Sequence, residues 1–88
     1  MSALRVEADR VEQILAIARG VLGSPGLNAD DELTDHGGTS LSIVRIIATT
    51  HQTLGLDINP RDLEGRLSPR NLAGAARAAH PRPALRPT

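Results

Sequence analysis

Apolar residues recur every three or four positions in two long stretches of this chain, and polar residues fill the gaps. Val11, Ile14, Leu15, Ala18, Val21 and Leu22 fall on one stripe, with Glu12, Gln13 and Arg19 off it. That spacing marks an amphipathic helix. It predicts helix 1 from about Ala8, or from as early as Ala3, to Leu22, with Gly23 as its stop and Ser24-Pro25-Gly26 as the break. Helix 2 begins at about Ser40. Ile43, Ile46, Ile47, Thr50 and Leu54 form its inward stripe, and Leu41, Val44, Arg45 and Ala48 lie on a neighbouring, more exposed side. Gly55 ends it. Leu56 and Ile58 bracket Asp57, and Pro60 can start a short third helix over Arg61–Leu63. Ser68-Pro69 is a helix start, serine as N-cap and proline at the first helical position. Helix 4 then runs from Pro69 to about Ala79, with Leu72, Ala75, Ala76 and Ala79 inward. No strand alternation is read anywhere. The pattern predicts an all-α bundle of three main helices plus one short helix, with a long loop between helices 1 and 2. Residues 1–80 form the domain, and the proline-rich segment 81–88 reads as a disordered tail.

Composition narrows this picture. At 88 residues the chain is one small domain with a thin stability margin. Phe, Tyr and Trp are absent, so Leu, Ile, Val and Ala must supply the core, at about 1.5–3 kcal/mol for each fully buried large aliphatic. Without cysteine there is neither a disulfide framework nor a thiolate metal site. Ten acidic residues balance ten basic ones, all arginine, which argues against a nucleic-acid binder. No apolar run approaches the roughly 18 residues that span a bilayer. Arg5, Glu7, Asp9 and Arg10 stand where a signal peptide needs an apolar core. A soluble cytoplasmic protein is expected.

The candidate chemistry lies in residues 24–39, a long loop for so small a protein, and such loops tend to be functional or disordered. Leu27 and Leu33 are expected to pin it to the core. It ends in Gly37-Gly38-Thr39-Ser40-Leu41, which places a serine at the mouth of a helix, behind Asp30, Asp31, Glu32 and Asp35. This suits a hydroxyl presented to another protein rather than a self-sufficient nucleophile, because no base lies within local reach. The acidic run reads as a solvated loop, since the glycine and final glutamate of a calcium loop are missing. His36 reads as a solvent-exposed loop residue or a partner contact, and His51 as solvent-facing. No metal site is expected.

This order of features resembles the phosphopantetheine-binding carrier superfamily, and within it the peptidyl carrier proteins, the thiolation domains of nonribosomal peptide synthesis. The resemblance covers roughly residues 11–79. It is carried by Asp31-Glu32-Leu33-Thr34-Asp35-His36-Gly37-Gly38-Thr39-Ser40-Leu41, by Arg45-Ile46, by Leu54-Gly55-Leu56-Asp57-Ile58 and by Ser68-Pro69-Arg70-Asn71-Leu72-Ala73. Leu33 and Thr34 replace the family's aromatic pair, His36 its apolar residue before the glycines, and Ala18 and Glu64 two further aromatics. Acyl carriers of fatty acid and polyketide synthesis place Asp before the serine and an acidic residue five positions after it. Thr39 and Arg45 stand there instead, which favours the peptidyl branch.

The resemblance implies a four-helix, acyl-carrier-like fold and a serine, Ser40, that receives 4′-phosphopantetheine from coenzyme A, flanked by Gly38, Thr39 and Leu41. A phosphodiester there would meet the positive end of helix 2, worth about 0.3–1 kcal/mol when exposed. The implied partners are a phosphopantetheinyl transferase, an adenylation enzyme and a condensation or tailoring enzyme; Leu41, Val44, Arg45 and Ala48, on the side of helix 2 that the inward stripe leaves free, are the expected docking surface. The expectation is a monomeric, free-standing peptidyl carrier that is not itself an enzyme and binds neither nucleic acid nor membrane. The alternatives are an acyl carrier for polyketide or fatty acyl groups, and a helical interaction module without a prosthetic group.

Overall fold

Helix α1 spans Ala3–Leu22 in the computed structural model, the earlier of the two expected starts. The structure describes residues 3–63 and 65–78, with side chains from Ala8 onward. The expected tail 81–88, the helix-4 residue Ala79, His80 and Glu64 lie outside the described residues. Gly23 takes the left-handed conformation (φ 63°) that lets the chain turn off the helix. The Ser24 N–H then donates to Arg19 O at 3.0 Å, capping a carbonyl of the last turn.

Helix α2 spans Ser40–Leu54 and helix α3 spans Pro69–Ala75. Both starts follow the sequence signals. Thr39 caps α2, and Ser68 caps α3 by accepting from the Asn71 N–H at 3.2 Å, with Pro69 in the first turn. Helix α1 packs against both α2 and α3. The core is wholly aliphatic: Ile14, Leu15 and Ala18 from α1, Leu27 and Leu33 from the first loop, Ile46 from α2, and Leu72 and Ala73 from α3. Leu56, Ile58 and Ala76 complete it.

Two expectations are corrected. The chain does contain strands, and α3 stops short of Ala79. Leu56–Ile58 (β1) pairs antiparallel with Ala76–Ala78 (β2), with Leu56 opposite Ala78, Asp57 opposite Arg77 and Ile58 opposite Ala76. After Gly55 (φ 67°) redirects the chain, β1 buries Leu56 and Ile58 and exposes Asp57. A backbone drawn against the core in this way needs hydrogen-bond partners, and β2 supplies them. Gly74, a poor helix former, weakens the last turn of α3, and the Ala76 N–H closes it on Ala73 O. The expected short helix over Arg61–Leu63 is a single 3-10 turn at Pro60–Asp62, capped by Asn59, whose Oδ1 accepts from the Arg61 N–H at 3.0 Å. No helix among the described residues is long and apolar enough to cross a membrane.

Candidate functional site

The loop ahead of α2 is held by latches to distant parts of the chain. Leu27 and Leu33 are fully buried, as expected. The Leu33 N–H donates to Leu67 O at 2.8 Å, and the Arg70 N–H donates to Ala29 O at 2.9 Å. The acidic run is therefore not a merely solvated loop. Arg70 Nε donates to Asp30 Oδ1 at 2.6 Å, Glu32 Oε1 accepts from the Leu67 N–H at 3.0 Å, and Asp31 Oδ2 accepts from the Asn28 N–H at 2.8 Å. The hydrogen bond from Arg70, with its charge, holds the Asp30 carboxyl below the usual carboxylate range and raises Arg70. The depressed value means that the pair helps the folded state above the ordinary carboxylate range and stops helping as pH falls through the lowered value. Both groups are exposed, so this latch is weak in water.

His36 also departs from its expected exposure. It ends the 3-10 turn Leu33–His36 and is half-buried. Its Nδ1 lies 3.2 Å from Ser24 Oγ, and its Nε2 lies 3.3 Å from Asp31 Oδ2. With Nδ1 accepting the Ser24 hydroxyl proton, the Nε2–H faces Asp31. His51 is exposed as expected, with Nε2 3.3 Å from Asp57 Oδ1.

The two glycines have separate jobs. Gly37 adopts φ 86° and turns its N–H onto Leu33 O. Gly38 also donates to Leu33 O, at 2.9 Å, and any Cβ on it would lie 2.6 Å from that oxygen. The first glycine is needed for its backbone angle and the second for close approach.

Thr39 then caps α2, its Oγ1 accepting from the Ser42 N–H at 3.2 Å and lying 3.2 Å from Ser42 Oγ. Ser40, exposed, is the first residue of the helix. The other described serines are engaged: Ser24 with His36, Ser42 with Thr39, and buried Ser68 with Asn71. Among the described residues, no hydrogen bond uses the Ser40 hydroxyl or the N–H groups of Ser40 and Leu41. An ester phosphate on this oxygen would thus find room, open donors and the positive end of a 15-residue helix. Beyond it, Leu41 and Val44 are the exposed large apolar residues among the described residues, 62 % and 58 % accessible, beside exposed Arg45 and Ala48. Among the described residues no group of His, Asp and Glu could hold a metal ion.

Sequence reasoning marked His36 as a polar departure before the glycine pair but missed its contacts, and it missed the acidic latches, because the partners of both lie on other segments or across the loop.

Residues 12–76 match a family model described as "Phosphopantetheine attachment site". The chain is also 38% identical over 74 residues to a protein of Salinispora arenicola whose description is "Probable non-canonical nonribosomal peptide synthetase (NRPS) CymA". That match covers 83% of this chain and 1% of the length of the relative.

Proposed function

The chain belongs to the phosphopantetheine-attachment family, and we propose that it is a peptidyl carrier modified on Ser40. Members of this family carry 4′-phosphopantetheine covalently, and that is the cofactor here. The observation that carries the assignment to Ser40 is its hydroxyl, exposed and unengaged at the start of α2 while every other described serine is bonded within the chain. Loading transfers the pantetheine phosphate of coenzyme A to Ser40 Oγ. The serine proton is lost and adenosine 3′,5′-bisphosphate leaves. The arm supplies a thiol that holds an acyl group as a thioester, which a chain without cysteine cannot otherwise do.

The residues of the chain present rather than catalyse. Thr39 holds the first turn of α2, Gly37 and Gly38 bring the loop to it, and Leu41, Val44, Arg45 and Ala48 offer a docking face to the transferase and to the enzymes that load and consume the acyl group. The peptidyl reading is favoured by Thr39 and Arg45, where acyl carriers of fatty acid and polyketide synthesis have acidic residues, and by similarity to a protein described as a nonribosomal peptide synthetase. On this reading an adenylation enzyme loads an aminoacyl group.

Mass spectrometry after incubation with coenzyme A and a broad-specificity phosphopantetheinyl transferase tests the attachment. Wild type is expected to gain one phosphopantetheine. Ser40→Ala is expected to gain none while keeping its helical circular dichroism. Modification of Ser24 or Ser42 in that variant would refute the assignment, and unmodified wild type would favour the interaction-module reading. Transfer of an adenylated amino acid, rather than a fatty or polyketide acyl group, to the modified protein separates the peptidyl from the acyl carrier.

A further inference from the structure

One side chain ties the start of the first loop to its end. His36 contacts Ser24, just past α1, through Nδ1 at 3.2 Å, and Asp31, in the middle of the loop, through Nε2 at 3.3 Å. The next residues, Gly37 and Gly38, both donate to Leu33 O, so Leu33–Gly38 is one tight turn closed on a single carbonyl. Buried Leu33 anchors that turn at one place, with its N–H bonded to Leu67 O. A body held near one place can still pivot. The two contacts of His36 lie on the other end of the turn, and they remove the pivot. Thr39 and Ser40 follow directly.

We infer that His36 is a positioning residue for modification of Ser40: by bridging Ser24 and Asp31 it fixes the orientation of the turn that delivers Thr39 to the head of α2. This rests on Ser40 being the attachment residue. The bridge closes a separation of 12 residues between Ser24 and His36. Without it, the loop is still ordered by buried Leu27 and Leu33 and by the bonds of Ala29, Asp30, Glu32 and Leu33 to Leu67 and Arg70, but none of these reaches the far end of the turn. The freed turn lets the cap on Ser42 loosen, and the first turn of α2, which holds Ser40, frays.

Ser24, His36 and Asp31 also have the order of a nucleophilic triad, and the inferred tautomer agrees. Local electrostatics oppose that use. Ser24 sits at the C-terminal end of α1, where the helix dipole disfavours an oxyanion.

The test compares wild type, His36→Leu and His36→Gln as full-length apo proteins. Initial rates of modification are followed by mass spectrometry with coenzyme A and a phosphopantetheinyl transferase, alongside amide hydrogen exchange and urea denaturation. Leucine can fill the space of the ring but cannot bridge. Glutamine offers one acceptor and one donor, as the neutral imidazole does. For His36→Leu, kcat should fall about fivefold to tenfold, the size of one or two side-chain hydrogen bonds. KM should change less than kcat, because Val44, Arg45 and Ala48 lie beyond the first turn of α2 and only Leu41 of the proposed docking face lies within it. Protection of the Gly37, Gly38 and Ser42 amides should fall while that of α1 and α3 stays. His36→Gln should return kcat to within about twofold of wild type, the margin of a hydrogen bond remade with altered geometry.

Unchanged kcat and loop exchange in His36→Leu would overturn the inference. So would an equal slowing in both variants that tracks a drop in the urea midpoint, which would make His36 a matter of stability alone. Hydrolysis of p-nitrophenyl acetate by wild type that Ser24→Ala abolishes would overturn it in favour of catalysis. Failure of the Ser40 assignment reads differently, as persistent modification of Ser40→Ala.

Discussion

Val44 and Ile46 stand two residues apart on α2, and Ile46 has no exposed surface while Val44 keeps 58 % of its own. The inward side carries Ile46 and Thr50, with Ile43, Ile47 and Leu54 partly buried against the core. Even the polar member of that side is internally satisfied, the Thr50 hydroxyl donating to Ile46 O at 2.7 Å. The outward side carries Leu41, Val44, Arg45 and Ala48 beside a serine with an unengaged hydroxyl. Large aliphatics standing singly on a helix surface carry no message, but two together next to a candidate modification site support the docking face proposed above. On the proposed reading this helix separates holding the fold from meeting partners, and substitutions on its two sides should then be felt by different measurements.

The largest effect is expected from the inward side. Ile46→Ala removes a fully buried side chain from a core that has no aromatic residue to close the gap. Truncations of this kind cost about 2–5 kcal/mol, against a total of about 5–15 kcal/mol for ordinary domains. Urea denaturation followed by far-ultraviolet circular dichroism should show a strongly lowered midpoint or a largely unfolded protein, with poor modification as a consequence. A midpoint within error of wild type would mean that Ile46 does not hold the core and that the division between the two sides is misplaced.

A smaller effect is expected where the loop meets the helix. Gly38→Ala would set a Cβ 2.6 Å from Leu33 O, so the turn must open and its 2.9 Å hydrogen bond must lengthen. Overpacking of this sort typically costs about 1–3 kcal/mol. The variant should stay folded, with a modest loss in midpoint and slower modification of Ser40. A Gly38→Ala protein modified as fast as wild type, with an unchanged midpoint, would show that the close approach is dispensable.

The same division governs what could be read before the structure. Both faces of α2 were legible because helical periodicity is a local property: the inward stripe and the exposed side fall where the spacing put them. The caps at Ser68 and Gly55 were legible for the same reason. The latches were not. Asp30 finds Arg70 across 40 residues, and Glu32 finds the Leu67 N–H across 35, so nothing near the acidic run announces its partners. Strand β1 did leave a trace, Leu56 and Ile58 alternating around Asp57 just after Gly55. Strand β2 left none. Ala76, Arg77 and Ala78 favour helix by local propensity, and only the need to complete the backbone of β1 makes them extended.

The smallest effect on stability, and the one that bears most directly on function, is expected from the outward side. Val44→Asp replaces an exposed side chain with a charged one and disturbs no buried contact. Surface changes of this kind usually move stability by no more than about 0.5 kcal/mol, so the urea midpoint should match wild type. An aspartate in the middle of the proposed docking patch must instead be desolvated on binding, and that cost appears only in complexes. Aminoacyl loading of the modified protein by an adenylation enzyme, the loading partner proposed above, should therefore lose about tenfold in kcat/KM, equivalent to about 1.4 kcal/mol. Arg45→Glu, which reverses a charge beside the same patch, should slow the same step and show a stronger dependence on salt. If Val44→Asp and Arg45→Glu both load at wild-type rates, and both are modified at wild-type rates by the transferase, the outward side of α2 takes no part in docking. The exposure of Leu41 and Val44 would then need another explanation.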